Sequence, residues 1–170
     1  MNRWLSILVL IIILAALAGV VATRYQILAA PEQPIAFNHQ THVENGIQCL
    51  FCHSAAMRSD IANLPSVQKC MGCHTLIATD HQEVQVLSTY WEQEKPIPWV
   101  LVNNQPDFVY FSHQAHLQGG INCETCHGDV GRMSVAQPVV NMDMGWCLDC
   151  HLKQSPDKIA HLADCLTCHK

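Results

Sequence analysis

Charge is scarce in this chain, and positive charge scarcer still. Asp, Glu, Lys and Arg make up 14% of the 170 residues, nine Lys and Arg stand against fourteen Asp and Glu, and the formal net charge is −5. A basic face for nucleic acid is therefore excluded, and the surface that remains is acidic and suited to a basic partner. Between Arg3 and Arg24 there is no charge at all, because Trp4 to Ala22 reads WLSILVLIIILAALAGVVA. Unassigned cysteine is missing too. All ten cysteines fall in five copies of Cys-x-x-Cys-His. None is left over for a disulfide framework, which would not set a histidine at one offset five times.

The copies are Cys49/Cys52/His53, Cys70/Cys73/His74, Cys123/Cys126/His127, Cys147/Cys150/His151 and Cys165/Cys168/His169. A zinc ribbon pairs cysteines without a histidine after each pair, and a thioredoxin-like motif occurs once, beside a βαβ pattern. Covalent haem c accounts for the whole pattern. Two thiols three residues apart add across the two vinyl groups of one porphyrin, and the histidine that follows is held under the iron as its proximal ligand. Five covalently attached haem c groups are expected, one per motif.

The uncharged run of nineteen residues spans about 28 Å as a helix, close to the ~30 Å hydrocarbon core. It is read as an uncleaved signal anchor over residues 1–24. The alternative is a cleaved signal peptide with Val20 and Ala22 at the small-residue positions before the cut. One arginine flanks each end, so charge does not orient the span. The haems do, since haem c is assembled on the outer face of energy-transducing membranes. Residues 25–170 are expected on the periplasmic side of a bacterial inner membrane, with Met1 to Arg3 in the cytoplasm. The 146 residues after the anchor leave under 30 for each motif, too few for five side-chain pockets, so the haems must form the core. The expected fold is mostly irregular with short α-helices, a multihaem cytochrome c architecture behind one N-terminal transmembrane helix.

Two stretches align without a gap at an offset of 74, FNHQTHVENGIQCLFCH from Phe37 and FSHQAHLQGGINCETCH from Phe111. Such self-similarity implies two modules of one ancestry. Residues 25–81 form a dihaem module A and residues 106–170 a trihaem module B, with a linker at 82–105. Val84, Leu87 and Trp91 predict a short helix over 82–93, stopped by Pro96 and Pro98. WVLV (99–102) and FVYF (108–111) predict a small hairpin around Asn103 to Asp107.

Eleven histidines are present and the motifs use five. A lone histidine is more often structural than a ligand. Here five irons each need a sixth ligand, and four histidines recur in a repeated Phe-x-His-x-x-His frame. His39, His42, His113 and His116 are therefore candidate distal ligands, with His161 a further candidate and His81 a weaker one. Met142 and Met144 are thioether alternatives for the fifth iron, and a methionine there would raise its potential above that of bis-histidine neighbours. The frame resembles that of the class III cytochromes, the small tetrahaem and trihaem proteins. That resemblance implies that His39 pairs with His53 and His113 with His127, while His42 and His116 serve other haems, plausibly those of His74 and His151.

The anchor followed by PIAFNHQTHVENGIQC, CMGCH, YWEQEKPIPW, PDFVYFSHQAHLQGGINCETCHGDV, MGWCLDCH and DCLTCH resembles the pentahaem subunit of alternative complex III over nearly the whole chain. The resemblance implies an electron-transfer subunit, not itself an enzyme. It implies a complex that oxidises quinol, usually menaquinol, and passes electrons to a periplasmic acceptor. Its partners would be iron–sulfur, integral membrane and monohaem cytochrome subunits and a soluble redox acceptor. Other readings fit less well. A stand-alone membrane-anchored tetrahaem quinol dehydrogenase would have four motifs. A catalytic multihaem reductase keeps an open iron, often with lysine as proximal ligand, and no Cys-x-x-Cys-Lys occurs here. A diffusing carrier would lack the anchor.

Overall fold

The computed structural model describes residues 3–27 and 29–169. Met1 and Asn2, expected on the cytoplasmic side, and Lys170, the end of module B, lie outside the described residues. Helix α1 (Arg3–Ile27) carries the uncharged run. It is long and apolar enough to cross a membrane, with mean hydropathy 3.1 and none of that stretch buried against the rest of the chain. Nine short helices follow among the described residues: α2 (His39–Glu44), α3 (Cys49–Cys52), α4 (Val67–His74), α5 (Gln82–Glu92), α6 (His113–Gln118), α7 (Cys123–His127), α8 (Met144–His151), α9 (Pro156–Leu162) and α10 (Cys165–Cys168). Every Cys-x-x-Cys motif thus lies on a helix of its own.

The repeated residues are those that start and stop the frame helices. Asn38 caps α2 by accepting from Thr41 N at 3.0 Å, and Ser112 caps α6 by accepting from Ala115 N at 3.3 Å. Gly46 and Gly120 both take φ +80, a left-handed turn that costs a side-chain-bearing residue energy and glycine none. The next amide then reaches back five residues, Ile47 N to His42 O at 3.1 Å and Ile121 N to His116 O at 3.0 Å. This closes each helix and aims the chain at the motif that follows.

The two repeats clasp one another. Helix α2 packs on the 3₁₀ turn Val130–Arg132, and α6 packs on the 3₁₀ turn Ser54–Met57. Gln40 N donates to Met133 O at 3.1 Å, and Gln114 N to Ser59 O at 3.2 Å. Donors and acceptors in these two bonds are separated by the same 74 residues that separate the repeats, so the clasp is pseudo-twofold. Each repeat lends its histidine helix to the turn just beyond the other repeat's first motif.

Protein-only core is small. Ile35, Met71, Leu87 and Ile97 are buried together, with Val67, Val86, Tyr90 and Trp99 packed around them. No side chain among the described residues is fully buried, as expected of a domain whose interior is reserved for prosthetic groups. The helix expected over 82–93 is α5, with Val84 and Leu87 inward. Trp91, expected on the same face, is 44% exposed.

The expected hairpin is not formed, since residues 99–102 and 108–111 carry no strand. Their backbone groups are engaged elsewhere. The Gln33 carboxamide holds both groups of Val100, accepting from its N at 3.0 Å and donating to its O at 2.7 Å. Tyr110 N donates to Cys168 O at 2.7 Å.

Gly128, directly after His127, has φ +66, and a β-carbon there would lie 2.7 Å from Val139 Cγ1. Gly128→Ala therefore combines a disfavoured backbone with overpacking and should destabilise the haem-loaded protein by about 1–3 kcal/mol. A lowered thermal unfolding midpoint checks this, and an unchanged midpoint would show that the Gly128–Val139 contact does not constrain the chain.

Candidate functional site

A histidine can ligate iron through Nε2 only if its proton sits on Nδ1, and a carbonyl accepting from Nδ1 fixes that tautomer. Four motif histidines have such a partner: His53 with Asn63 O at 2.7 Å, His74 with Ile77 O at 3.0 Å, His151 with Leu162 O at 3.1 Å and His169 with Phe108 O at 3.4 Å. His127 Nδ1 lies 3.1 Å from the Asn103 side-chain amide. Turning that amide to present its oxygen gives the same tautomer, and the two amide atoms are interchangeable by assignment. In the frames, His42 donates to Asn38 O at 2.7 Å, His113 to Asp60 O at 2.8 Å and His116 to Ser112 O at 2.7 Å. His39 Nδ1 is buried without a partner. Burial first, then His53 and His42, lower its pKa to about 4, which keeps the ring neutral as metal ligation requires.

The frames bring these rings to the motifs. Ring centres are 6.0 Å apart for His42 and His74, 6.4 Å for His113 and His127, and 6.0 Å for His116 and His151. A metal–imidazole bond is about 2 Å and the ring centre lies about 1 Å further, so two imidazoles on opposite sides of one metal have centres about 6 Å apart. The residues present thus fit an iron between each pair. Phe37 and Phe111 fix the rings identically in the two repeats. Each stacks on the second frame histidine with centres 4.4 Å apart and meets the first edge-on, at 4.7 Å from His39 and 4.8 Å from His113.

Cysteines of different motifs are neighbours. Burial first, and then a thiol of another motif, raises the pKa of each of the following: Cys70 through Cys52, Cys123 through Cys49, Cys126 through Cys147 and Cys150, and Cys147 through Cys168. Lys69 Nζ, 4.5 Å from the centre of the Phe51 ring, ties the Cys70 motif to the Cys49 motif independently. The motifs therefore follow in space in the order Cys70, Cys49, Cys123, Cys147, Cys165. The middle step coincides with the clasp. Burial, then His113 and His53, lower the His127 pKa, which places the proximal rings of the two repeats beside one another.

Comparison with known proteins agrees with this arrangement. Residues 18–98 match the class III cytochrome c family, and residues 109–170 match cytochrome c7 and related cytochromes c. The multihaem cytochrome c subunit of a menaquinone reductase from Nitratidesulfovibrio vulgaris (strain Hildenborough) is 30% identical over 182 aligned residues, covering 94% of this chain and 87% of the relative. The chain belongs to the multihaem c-type cytochromes of the class III and c7 kind. Covalently bound haem c follows from that membership.

Besides His39, four of the cytochrome's candidate ligands sit elsewhere than in a ring pair with a motif histidine. His81 is the N-cap of α5, and its Nδ1 accepts from Glu83 N at 3.3 Å. That bond puts the ring proton on Nε2 and leaves no lone pair there for iron. His161 is exposed beside Thr167. Met144 opens α8 at 62% exposure, whereas Met142 is half-buried before the Asp143 cap. The carbonyls that set the tautomers were not foreseeable, because they lie at no fixed offset from the motif histidines, from three residues away in Ile77 to sixty-one in Phe108. The repeated phenylalanines were the one sequence signal for the ring geometry.

His81→Ala should remove a helix cap at a cost of about 0.5–2 kcal/mol, and His81→Asn should recover most of that. Both variants should keep every iron low-spin. A high-spin iron in either would make His81 a ligand and contradict the cap assignment.

Proposed function

We propose that this chain is the pentahaem electron relay of a membrane complex that oxidises quinol, of the alternative complex III kind. In that complex it lies on the periplasmic side of a bacterial inner membrane, anchored by α1. The observation that carries the reading is the pairing of frame and motif imidazoles at 6.0–6.4 Å, which would close three of the five irons on both faces, as electron transfer without substrate binding requires. Cys49, Cys52, Cys70, Cys73, Cys123, Cys126, Cys147, Cys150, Cys165 and Cys168 would hold five haems, with His53, His74, His127, His151 and His169 as proximal ligands. His42, His113 and His116 would complete the irons of His74, His127 and His151, and His39, whose charge is opposed by His53, the iron of His53. Each bound haem supplies an iron that alternates between ferric and ferrous. The chain holds the rings in place through both states, so little rearrangement accompanies electron transfer.

The anchor suggests where electrons enter. Seven residues separate Ile27 from Ile35, which is buried against Met71 of the second motif helix. Eight residue steps reach at most about 29 Å, so the Cys70 motif stays near the membrane end of the line and the Cys165 motif is distal. Electrons from a quinol site in integral membrane and iron–sulfur partners would enter at the first and leave from the last. A monohaem cytochrome subunit or a soluble acceptor would then receive them. The relative named for a menaquinone reductase carries a second reading, in which the same line runs inward toward a quinone.

The purified full-length chain should carry five haems, resist extraction by high salt, and show one high-spin iron without loss of covalent haem in His113→Ala. A ratio of four or fewer, or an unaltered low-spin spectrum in the variant, would contradict the ligand scheme. Menaquinol should reduce the chain quickly only within its intact complex. Rapid reduction of the lone chain would place a quinol site in this polypeptide and favour a stand-alone quinol dehydrogenase.

A further inference from the structure

We infer that the fifth iron, the one under His169, takes the thioether of Met142 as its sixth ligand and not the imidazole of His161. The inference rests on the proposed haem at that motif.

His161 is held on the wrong side. Thr167 Oγ1 donates its single proton to His161 O at 2.7 Å, so at the 3.3 Å contact between Thr167 Oγ1 and His161 Nδ1 the ring must be the donor. On helix α10, at about 100° per residue, Cys165, Cys168 and the following His169 share one face and Thr167 lies opposite. A haem bonded to both cysteines and to His169 covers the first face. The ring tied to Thr167 is on the other, where His161, Asp164, Leu166 and Thr167 line one surface hollow. The helix and the porphyrin would both stand between His161 and the vacant side of the fifth iron.

Each of the four frame histidines has a motif histidine beside it, and His81 is a cap. That leaves sulfur. Met144 is three residues before Cys147 and seven before His151, on the face of α8 that would bear the fourth haem, and it would pack on that porphyrin. Met142 precedes the cap residue and is free of the helix. Gln105 Nε2 donates to Met142 O at 3.1 Å. The same short segment carries Phe108 O, which orients His169, and Tyr110 N, which binds Cys168 O at 2.7 Å. Residues 105–110 thus bind both the Met142 backbone and the fifth motif, which brings Met142 into the neighbourhood of that motif. The fifth iron, last in the line, would then have the highest potential in the chain. That would draw electrons outward from the membrane and favour quinol oxidation over the inward reading.

The test uses the full-length, haem-loaded chain in detergent. The oxidised protein should show the far-red sulfur-to-iron band. Met142→Leu should abolish it and turn one iron high-spin. Met142→His should abolish it while every iron stays low-spin, and the most positive step of the redox titration should move down. Met144→Leu and His161→Ala should leave band, spin state and titration unchanged. A wild-type chain with five haems but no band, or a high-spin iron in His161→Ala with none in Met142→Leu, overturns the assignment. Peptide mapping that finds no haem on Cys165 and Cys168 would instead overturn the reading on which it rests.

Discussion

The described residues bury few of their apolar side chains on one another, and everything else in the structure follows from that constraint. Four buried residues between α4 and α5 form its one cluster of protein core among the described residues. The helices beyond them are four to eight residues long, apart from α5 and the anchor, well below the length at which a helix holds itself in water. Cross-links must substitute for burial. In the proposed scheme each iron is such a cross-link. It joins α2 to α4 through His42 and His74, α6 to α7 through His113 and His127, and α6 to α8 through His116 and His151. The loop carbonyls on Nδ1 make this possible, since without them the rings could sit in the tautomer that cannot bind metal.

Much of this was legible in the sequence because the chemistry leaves few alternatives. The spacing of cysteine and histidine declares the motif, and the offset of 74 declares the repeat. The asparagine and serine caps and the paired glycines were visible as residues, although their geometry was not. The hairpin expected over 99–111 does not form, because neighbouring β-rich runs need not pair with one another. Side chains and a distant motif satisfy the backbone of both runs instead. The reciprocal clasp was invisible for a related reason. Self-similarity shows that two units are alike, not that each is completed by the other. His81 and His161 resemble ligands by residue type alone, and what separates them from the frame histidines is the cap bond of His81 and the position of His161 beside Thr167, away from any motif histidine.

In the proposed scheme the order of motifs gives the relay two ends. One lies beside the cluster of Ile35 and Met71 that follows the anchor, and the other is held by residues 105–110, whose Gln105 also binds the Met142 carbonyl. Between them the clasp sets the two repeats side by side, and the duplicated frame would join the membrane half of the line to its outer half. The direction of flow is set by potentials, and these depend on axial ligands and burial. The same scaffold could therefore serve quinol oxidation in one complex and quinone reduction in another, which accommodates a relative named as a menaquinone reductase subunit.

Anomalous diffraction at the iron edge from crystals of the haem-loaded chain tests the central claim most directly. The account predicts five iron peaks in one file, in the order of the Cys70, Cys49, Cys123, Cys147 and Cys165 motifs. One peak should lie between His42 and His74, one between His113 and His127, and one between His116 and His151. A branched or clustered array, or an iron of these three bound by any other pair of side chains, would contradict it.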